Sequence, residues 1–263
     1  MTNLTTLEIE KRGATAWVWM DRADKHNAFD ETLIAELTGV IRALNTDEDC
    51  RVIVLGGRGK SFSAGADLNW MKRQGAASFE ANVEDAGKLA DLFHALGTSV
   101  KPTLARVQGA AMGGGMGLAA ACDICIASTE ASFATSEVKL GIIPAVISPY
   151  VVRAIGARQS ARYFQTAERI SAARAYEIGL AHEVVPADEL DAKVDSVVKA
   201  LLSGGPQAQA AAKDLIQLVD GQPLTAEIIS ATAHRIAQLR STREAAEGLS
   251  AFLEKRAPSW MEG

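Results

Sequence analysis

The feature that most constrains the fold is an alternation of short apolar runs with helical segments along most of the chain. Four runs have the length, apolar content and flanking glycines typical of strands: "TAWVWM" (15–20), "RVIVLGG" (51–57), "PTLARVQG" (102–109) and "CDICIAS" (122–128). Asp30 stands where a helix cap is expected, because apolar residues at helical spacing run from Leu33 to Leu44. A second helical region is expected at 79–96. The alternation predicts an α/β fold with crossover connections.

The pattern changes near residue 195. Beyond it, apolar positions recur at helical spacing, and no strand-like run is found. We therefore predict an α/β core over residues 1–195 and a smaller helical region over 196–263. The apolar face of that helical region needs a partner.

Composition and charge exclude several classes of protein. With 48% hydrophobic and 22% charged residues the chain is globular, and its formal net charge of -5 provides no basic field for nucleic acid or an anionic membrane. No apolar run approaches the roughly 18 residues of a membrane span, and no secretion signal opens the chain. We expect a soluble, cytoplasmic protein without a membrane or nucleic-acid partner.

Several familiar motifs fail on spacing. "GRGKS" (57–61) resembles a phosphate-binding loop, but Val54 stands where the first glycine is required. No G-x-S-x-G elbow occurs, and the histidines lack metal-ligand spacing: His26, His94, His182 and His234. Cys122 and Cys125 form a C-x-x-C inside an apolar run, which favours buried, inert thiols over a redox pair. We predict neither a metal site nor a serine nucleophile.

Two glycine-rich turns remain, "SAGADL" (63–68) and "GAAMGGGMG" (109–117). On a purely structural interpretation they are tight connections in which glycine permits unusual backbone angles. On a functional interpretation they expose backbone N–H groups, one from each turn, at a helix start where such donors are unpaired. Two such donors converging on one oxyanion contribute roughly 3–4 kcal/mol each in acyl chemistry. The residues alone leave both interpretations open.

The combination of "FSAGADL", "VQGAAMGGGMGLAAACDICIAS" and "FATSEVKLGIIP" closely resembles the enoyl-CoA hydratase/isomerase (crotonase) superfamily. The resemblance spans nearly the whole chain. It implies a spiral of ββα units followed by a C-terminal helical trimerisation region, assembled as a trimer or a dimer of trimers. It also implies an acyl-CoA thioester as substrate, with coenzyme A arriving as part of the substrate rather than as a separate cofactor.

The same resemblance assigns site residues. The N–H groups of Ala66 and Gly114 match the oxyanion hole that holds the thioester oxygen as it becomes an enolate. In the coenzyme A pocket, the resemblance puts Lys25 near the phosphates and the backbone of Ala64, Asp67 and Leu68 at the adenine. It also puts Phe252 and Lys255 against coenzyme A, often across a subunit boundary.

One expected acid is missing. Typical hydratases of this family carry two glutamates, and Glu137 matches the second, whereas Gly117 stands at the first. Adding water to a conjugated thioester needs a base for water and an acid for the α-carbon. Either Glu137 serves both proton transfers, or substrate or water supplies the other group. We also expect that Gly117 leaves space for a bulkier or charged acyl group.

A finer resemblance of "SEVKLGIIPAVISPYVVRAIG" and "FSAGADLNWMKR" points to the branch that includes 3-methylglutaconyl-CoA and isohexenylglutaconyl-CoA hydratases. It implies leucine or terpene breakdown and a β-branched substrate with a second carboxylate. Lys72, Arg73 and Lys139 are candidate partners for that carboxylate, although exposed charge is the simpler interpretation of each.

Three alternatives stay open at this point. The superfamily also contains isomerases, decarboxylases and thioesterases that share the oxyanion hole. A non-catalytic coenzyme A-binding subunit would carry the same motifs. RNA binding, which has been linked to some glutaconyl-CoA hydratase relatives, is disfavoured by the acidic charge balance.

Overall fold

The structure is a computed structural model that describes residues 4–261. This part of the chain contains nine strands: β1 (Leu7–Arg12), β2 (Thr15–Met20), β3 (Val52–Gly57), β4 (Thr103–Val107), β5 (Ala110–Met112), β6 (Ile124–Ser128), β7 (Ser132–Ala134), β8 (Ile170–Ser171) and β9 (Glu183–Val185). Its α-helices are α1 (Glu31–Thr46), α2 (Leu68–Gly75), α3 (Phe79–Gly97), α4 (Gly114–Ala121), α5 (Ser148–Thr166), α6 (Ala172–Glu177), α7 (Leu190–Leu202), α8 (Pro206–Val219), α9 (Ala226–Arg240) and α10 (Arg243–Glu254).

The main sheet has six strands in the order β1-β2-β3-β4-β6-β9. β1 pairs antiparallel with β2, and the other neighbours pair in parallel, with Thr15 beside Val52 and Met20 beside Gly57. All residues of β2 and β3 are buried, as expected for parallel strands covered on both faces. The four strands expected from sequence and the α/β class are confirmed.

Side chains of β2 alternate between two hydrophobic layers. Trp17 and Trp19 face a cluster that includes Val194 and Val198 of α7, whereas Val18 and Met20 face the larger core. Helices α1, α3, α4 and α5 supply the apolar faces of that larger core. The expected cap of α1 is confirmed, because Asp30 accepts a hydrogen bond from the Leu33 N–H (2.9 Å).

A second, three-stranded sheet has the order β5-β7-β8. β5 runs parallel to β7, with Ala111 beside Phe133 and Met112 beside Ala134. The sheet carries the chain into two segments that matter for the site. β5 leads directly into α4, and β7 leads into a 3₁₀ helix that begins at Glu137.

The C-terminal helices α8 to α10 bury little of their apolar surface within the chain. Leu249, Phe252 and Leu253 of α10, and Leu224 in the loop before α9, are all more than 60% exposed. The boundary expected at residues 195 and 196 falls inside α7, which packs on the main sheet. The helical region that does not pack on the main sheet therefore starts with α8. No helix within residues 4–261 has the length and apolar character needed to cross a membrane.

Candidate active site

The start of α4 depends on a glycine that no other residue could replace without strain. Gly113 has φ +49° and ψ −115°, and its N–H donates to the Ala134 carbonyl of β7 (2.8 Å). α4 then begins at Gly114, whose Cα lies so near the Phe29 ring that a Cβ there would be 3.1 Å from Phe29 Cε2. Within residues 4–261 the Gly114 N–H has no acceptor, as expected at the first position of a helix.

The turn at 63–67 is fixed on both sides by backbone hydrogen bonds. The Met112 N–H donates to the Ser63 carbonyl (2.9 Å) and ties the turn to β5. Phe29 pairs with the other side, since its N–H donates to Gly65 (2.7 Å) and its carbonyl accepts from Asp67 (2.8 Å). Ala66 lies between those two bonds, and its own N–H finds no acceptor in the described chain.

The structure brings these two turns together. Gly65 has φ +90°, and a Cβ on it would be 3.0 Å from the Met112 carbonyl oxygen. A Cβ on Gly113 would be 4.0 Å from Gly65 Cα. The two turns therefore meet at Gly65 and Gly113. In each turn the next residue, Ala66 or Gly114, carries the N–H group that has no acceptor within residues 4–261.

The Glu137 carboxylate lies where these two turns meet. A Cβ on Gly113 would be 3.1 Å from Glu137 Oε1, so the carboxylate lies against the start of α4. Glu137 Oε2 is buried and has no hydrogen-bond partner within residues 4–261. Burial raises the pKa of the Glu137 carboxyl above its ordinary value. A partly desolvated carboxylate with one oxygen unoccupied is suited to accept and return a proton.

The expectation of free space beside Gly117 is wrong. A Cβ on Gly117 would be 2.4 Å from Ile147 Cγ2 and 2.9 Å from Phe93 Cε1. Both neighbours are core residues, with Ile147 3% and Phe93 0% exposed. The volume that an acid would take is already filled, so an acyl group cannot enter beside Gly117.

The residues assigned to the nucleotide part of coenzyme A lie along one rim of the site. Lys25 is exposed at the end of a 3₁₀ helix, and His26 follows it. The Ala64 N–H donates to the His26 carbonyl (2.9 Å), which places Ala64 close to Lys25. Leu68 is 81% exposed at the start of α2. The Asp67 carboxylate caps α2 by accepting from the Asn69 N–H (2.8 Å), so only its backbone is available to a ligand.

Phe252 and Lys255 belong to the end of α10, and the contacts of this helix within the described chain lie at the other end of the main sheet. Arg51, which precedes β3, donates to carbonyls of Leu202 and Trp260, and the Trp260 ring contacts Gly248 of α10. α10 therefore lies at the amino ends of the parallel strands, whereas Lys25 follows the carboxyl end of β2. Six residues of strand, about 20 Å, separate the two ends. Both side chains are exposed.

The three cations considered for a second substrate carboxylate differ in their surroundings. Arg73 pairs with Glu31 (2.7 Å), and Lys139 donates to the Ala167 carbonyl (3.1 Å). Lys72 is exposed on α2 and makes neither an ion pair nor a hydrogen bond with residues of the described chain. Of the three, Lys72 is the one whose ammonium is not already engaged.

The cysteines are free and buried, and burial raises the pKa of Cys122 well above its ordinary value and that of Cys125 to about 12. Their thiols are therefore inert, as the sequence predicts. In residues 4–261 no group of three or more His, Cys, Asp or Glu side chains could hold a metal ion.

Sequence reasoning missed three neighbours of the site: Phe29 against Gly114, and Ile147 and Phe93 against Gly117. Each comes from an element distant in the chain. Contacts of apolar side chains with distant glycines follow from the fold and not from any local pattern, so the sequence held no signal for these contacts.

Comparison with known proteins identifies the family of this chain. The family model described as enoyl-CoA hydratase/isomerase matches residues 10–263. A putative enoyl-CoA hydratase of Thermus thermophilus is 32% identical over 253 residues, covering 96% of this chain and 99% of the relative. A crystal structure of an enoyl-CoA hydratase from Shewanella pealeana superposes with a TM-score of 0.95 at 46% identity, covering 98% of this chain and 96% of that one.

A putative enoyl-CoA hydratase/isomerase (crotonase) from Legionella pneumophila gives a TM-score of 0.93, also at 46% identity, and covers 98% of this chain and all of that one. The α/β crotonase fold with C-terminal helices, implied by the motifs, is thereby confirmed. The chain belongs to the enoyl-CoA hydratase/isomerase (crotonase) family.

Proposed function

We propose that the protein is a hydro-lyase that adds water reversibly across the double bond of a 2-enoyl-CoA thioester. The observation that carries the proposal is the position of Glu137, with Oε1 beside Gly113 where two segments with unpaired N–H groups meet. Acyl-CoA chemistry needs this combination, because an enolate oxygen requires donors and the adjacent carbons require a proton carrier.

The N–H groups of Ala66 and Gly114 donate to the thioester carbonyl oxygen. Glu137 removes a proton from water as the water oxygen bonds to the β-carbon, and the π electrons move toward the thioester to form the enolate. Glu137 then returns the proton to the α-carbon, and the carbonyl re-forms. One water is consumed, and the carboxylate ends in its starting state.

The coenzyme A moiety follows the rim described above. Lys25 lies near the phosphates, and the backbone of Ala64, Asp67 and Leu68 contacts the adenine. Phe252 and Lys255 belong to a helix whose contacts within one chain are at the opposite end of the sheet, which supports a homo-oligomer, a trimer or a dimer of trimers, in which a second copy supplies them. The exposed apolar side chains of α8 to α10 support the same assembly.

For the acyl group we propose a β-branched chain with a second carboxylate, of the 3-methylglutaconyl or isohexenylglutaconyl type. The motif resemblance supports this substrate class, and Lys72 is the available cation for the second carboxylate. Since the space beside Gly117 is filled, the acyl extension must run elsewhere in the pocket.

Incubation of the purified protein with 3-methylglutaconyl-CoA and with crotonyl-CoA tests both levels of the proposal. Hydration predicts loss of the conjugated-thioester absorbance without release of thiol or carbon dioxide. Faster turnover of the methylglutaconyl ester supports the second carboxylate. The control is Lys88, an exposed lysine of α3 that pairs with Glu84 (2.8 Å). Loss of the faster turnover in Lys72→Ala but not in Lys88→Ala assigns the cation. Released thiol, carbon dioxide or a shifted double bond would identify a different reaction of the family, and binding without turnover a non-catalytic subunit.

A further inference from the structure

Ile147 and Phe93 form a wall beside Gly117, and both residues belong to the buried core. Ile147 directly precedes α5, and its carbonyl accepts hydrogen bonds from the N–H groups of Tyr150 and Val151 (both 3.1 Å). The Phe93 ring packs against the Tyr150 ring, with centroids 5.7 Å apart. Side chains held this way cannot swing aside cheaply, because a close-packed interior has little room for another rotamer.

The same wall adjoins the reaction centre. Gly117 donates its N–H to the Gly113 carbonyl (3.0 Å), so it lies one helical turn, about 6 Å, beyond the residue beside Glu137. Glu137 and Ile147 are also the two ends of one segment, the 3₁₀ helix and loop that lead into α5. One segment thus brings the carboxylate to the site and fills the neighbouring volume.

We propose that Ile147 is a positioning residue that restricts this active site to a single carboxylate. Its side chain occupies the volume that an acidic side chain at position 117 requires, so Glu137 carries both proton transfers. The inference rests on the proposed hydration and deepens it. Ile147 itself touches no reacting atom; it determines which groups can.

Few other ionisable groups stand near Glu137. Its own 3₁₀ helix carries Lys139, which donates to Ala167, and α5 carries Tyr150, which packs on Phe93. α4 contains no titratable side chain, and the turn 63–67 contains one, Asp67, whose carboxylate caps α2 and pairs with Arg22 (3.5 Å). A change in the acid side of the pH profile can therefore be traced to Glu137 or to a group introduced beside it.

The steric part is tested by a double-mutant cycle in thermal unfolding. Gly117→Ala should lower the Tm by roughly 3–10 °C, because the new Cβ overpacks the core. In an Ile147→Gly background the same substitution should lower the Tm by less than half as much, because the two nearest atoms, Ile147 Cγ2 at 2.4 Å and Ile147 Cβ at 2.8 Å, are gone. An equal decrease of the Tm in both backgrounds, or no decrease for Gly117→Ala, would show that Ile147 does not block the space beside Gly117.

The chemical part is tested by pH profiles of kcat/KM for hydration. The wild-type acid limb should follow one ionisation, with a slope of one; a slope of two means a second essential carboxyl and overturns the proposal. Gly117→Glu combined with Ile147→Gly should move the limb up by roughly one pH unit relative to Gly117→Gln with Ile147→Gly, because like charges oppose ionisation. Coinciding profiles of the two double variants would also overturn it.

The two levels fail separately. The unfolding cycle needs no turnover, so it tests whether Ile147 fills the space beside Gly117 even if no enoyl-CoA is hydrated. Absence of hydration by the wild-type protein would remove the proposed function and with it the role of Ile147 in catalysis. Hydration together with an additive cycle would leave the function intact and remove only the role of Ile147.

Discussion

The Glu137 carboxylate lies beside the Gly113 backbone, where a Cβ on Gly113 would be 3.1 Å from Glu137 Oε1. Two short strands of the smaller sheet create this arrangement, because β5 ends beside Gly113 and β7 ends shortly before Glu137. The Gly113 N–H bond to Ala134 fixes the two strand ends relative to each other. One pairing register therefore positions both the Gly114 N–H, a proposed oxyanion donor, and the Glu137 carboxylate, the proposed proton carrier.

Replacing Gly113 by alanine should lower both the stability and the activity of the protein. The backbone angles of Gly113 are costly for any residue with a side chain, about 1–3 kcal/mol, and the new methyl group would displace the carboxylate. We expect kcat/KM to fall at least tenfold, measured with the hydrated substrate. Gly87→Ala is the matched control, since Gly87 lies within α3 with no atom near its Cβ position. It should stabilise the protein by about 0.5–1 kcal/mol, and a fully active Gly113→Ala would contradict this placement of Glu137.

Removal of the Gly114 N–H isolates the oxyanion donor. Proline is tolerated at the first position of a helix, so Gly114→Pro should fold, whereas its hydration rate should fall about 10²–10³-fold. Gly114→Ala keeps the N–H and makes the same contact with the Phe29 ring, which makes it the control for sterics. Equal losses in the two variants would show that crowding by Phe29, not the missing donor, is responsible.

Neutralising Glu137 separates chemistry from binding. Glu137→Gln should lose about 10²–10⁴ in hydration rate, because the amide cannot carry the proton, whereas affinity for the coenzyme A ester should remain. Rates come from the thioester absorbance and affinity from calorimetric titration. Retention of more than about a tenth of the wild-type rate is incompatible with the assigned role.

The raised pKa of Glu137 also predicts a pH-dependent stability difference. Burial favours the protonated carboxyl in the folded state, so the ionised form destabilises the protein once the pH rises through the folded-state pKa. Glu137→Gln should therefore have a higher Tm than wild type near pH 8. This difference in Tm should vanish when the pH is below 4.5, the ordinary pKa of glutamate. A Tm difference that stays constant between pH 4 and pH 8 would argue against the desolvated carboxylate.

Arg22 should prove the most sensitive charged residue near the site. It is 8% exposed and pairs with Asp30 (2.7 Å) and Asp67 (3.5 Å), the carboxylates that cap α1 and α2. Arg22→Met leaves both carboxylates without their cation, and we expect a loss of about 3–5 kcal/mol in urea unfolding. Arg42→Met, which breaks the exposed pair with Asp91, should change stability by less than about 1 kcal/mol. Comparable losses in the two variants would mean that burial does not distinguish them.

Much of the fold was predictable because its signals are local. The strands β2, β3, β4 and β6 are continuous apolar runs, and the cap at Asp30 depends only on the residues that follow it. The short strands β5, β7, β8 and β9 gave no such signal, because two or three residues cannot show an alternation. They exist through pairing with distant partners, and the position of Glu137 depends on them.

The sequence by itself indicated that a helix starts at the glycines 113–115 and, through the family resemblance, that an acid is missing at position 117. Glycine conformation and helix termini are properties of neighbouring residues, so they can be inferred without a structure. Only the tertiary structure decided what surrounds Gly117, because Ile147 and Phe93 reach it from other helical segments. Packing between distant segments follows from the fold as a whole, and it turned an expected opening into a filled core.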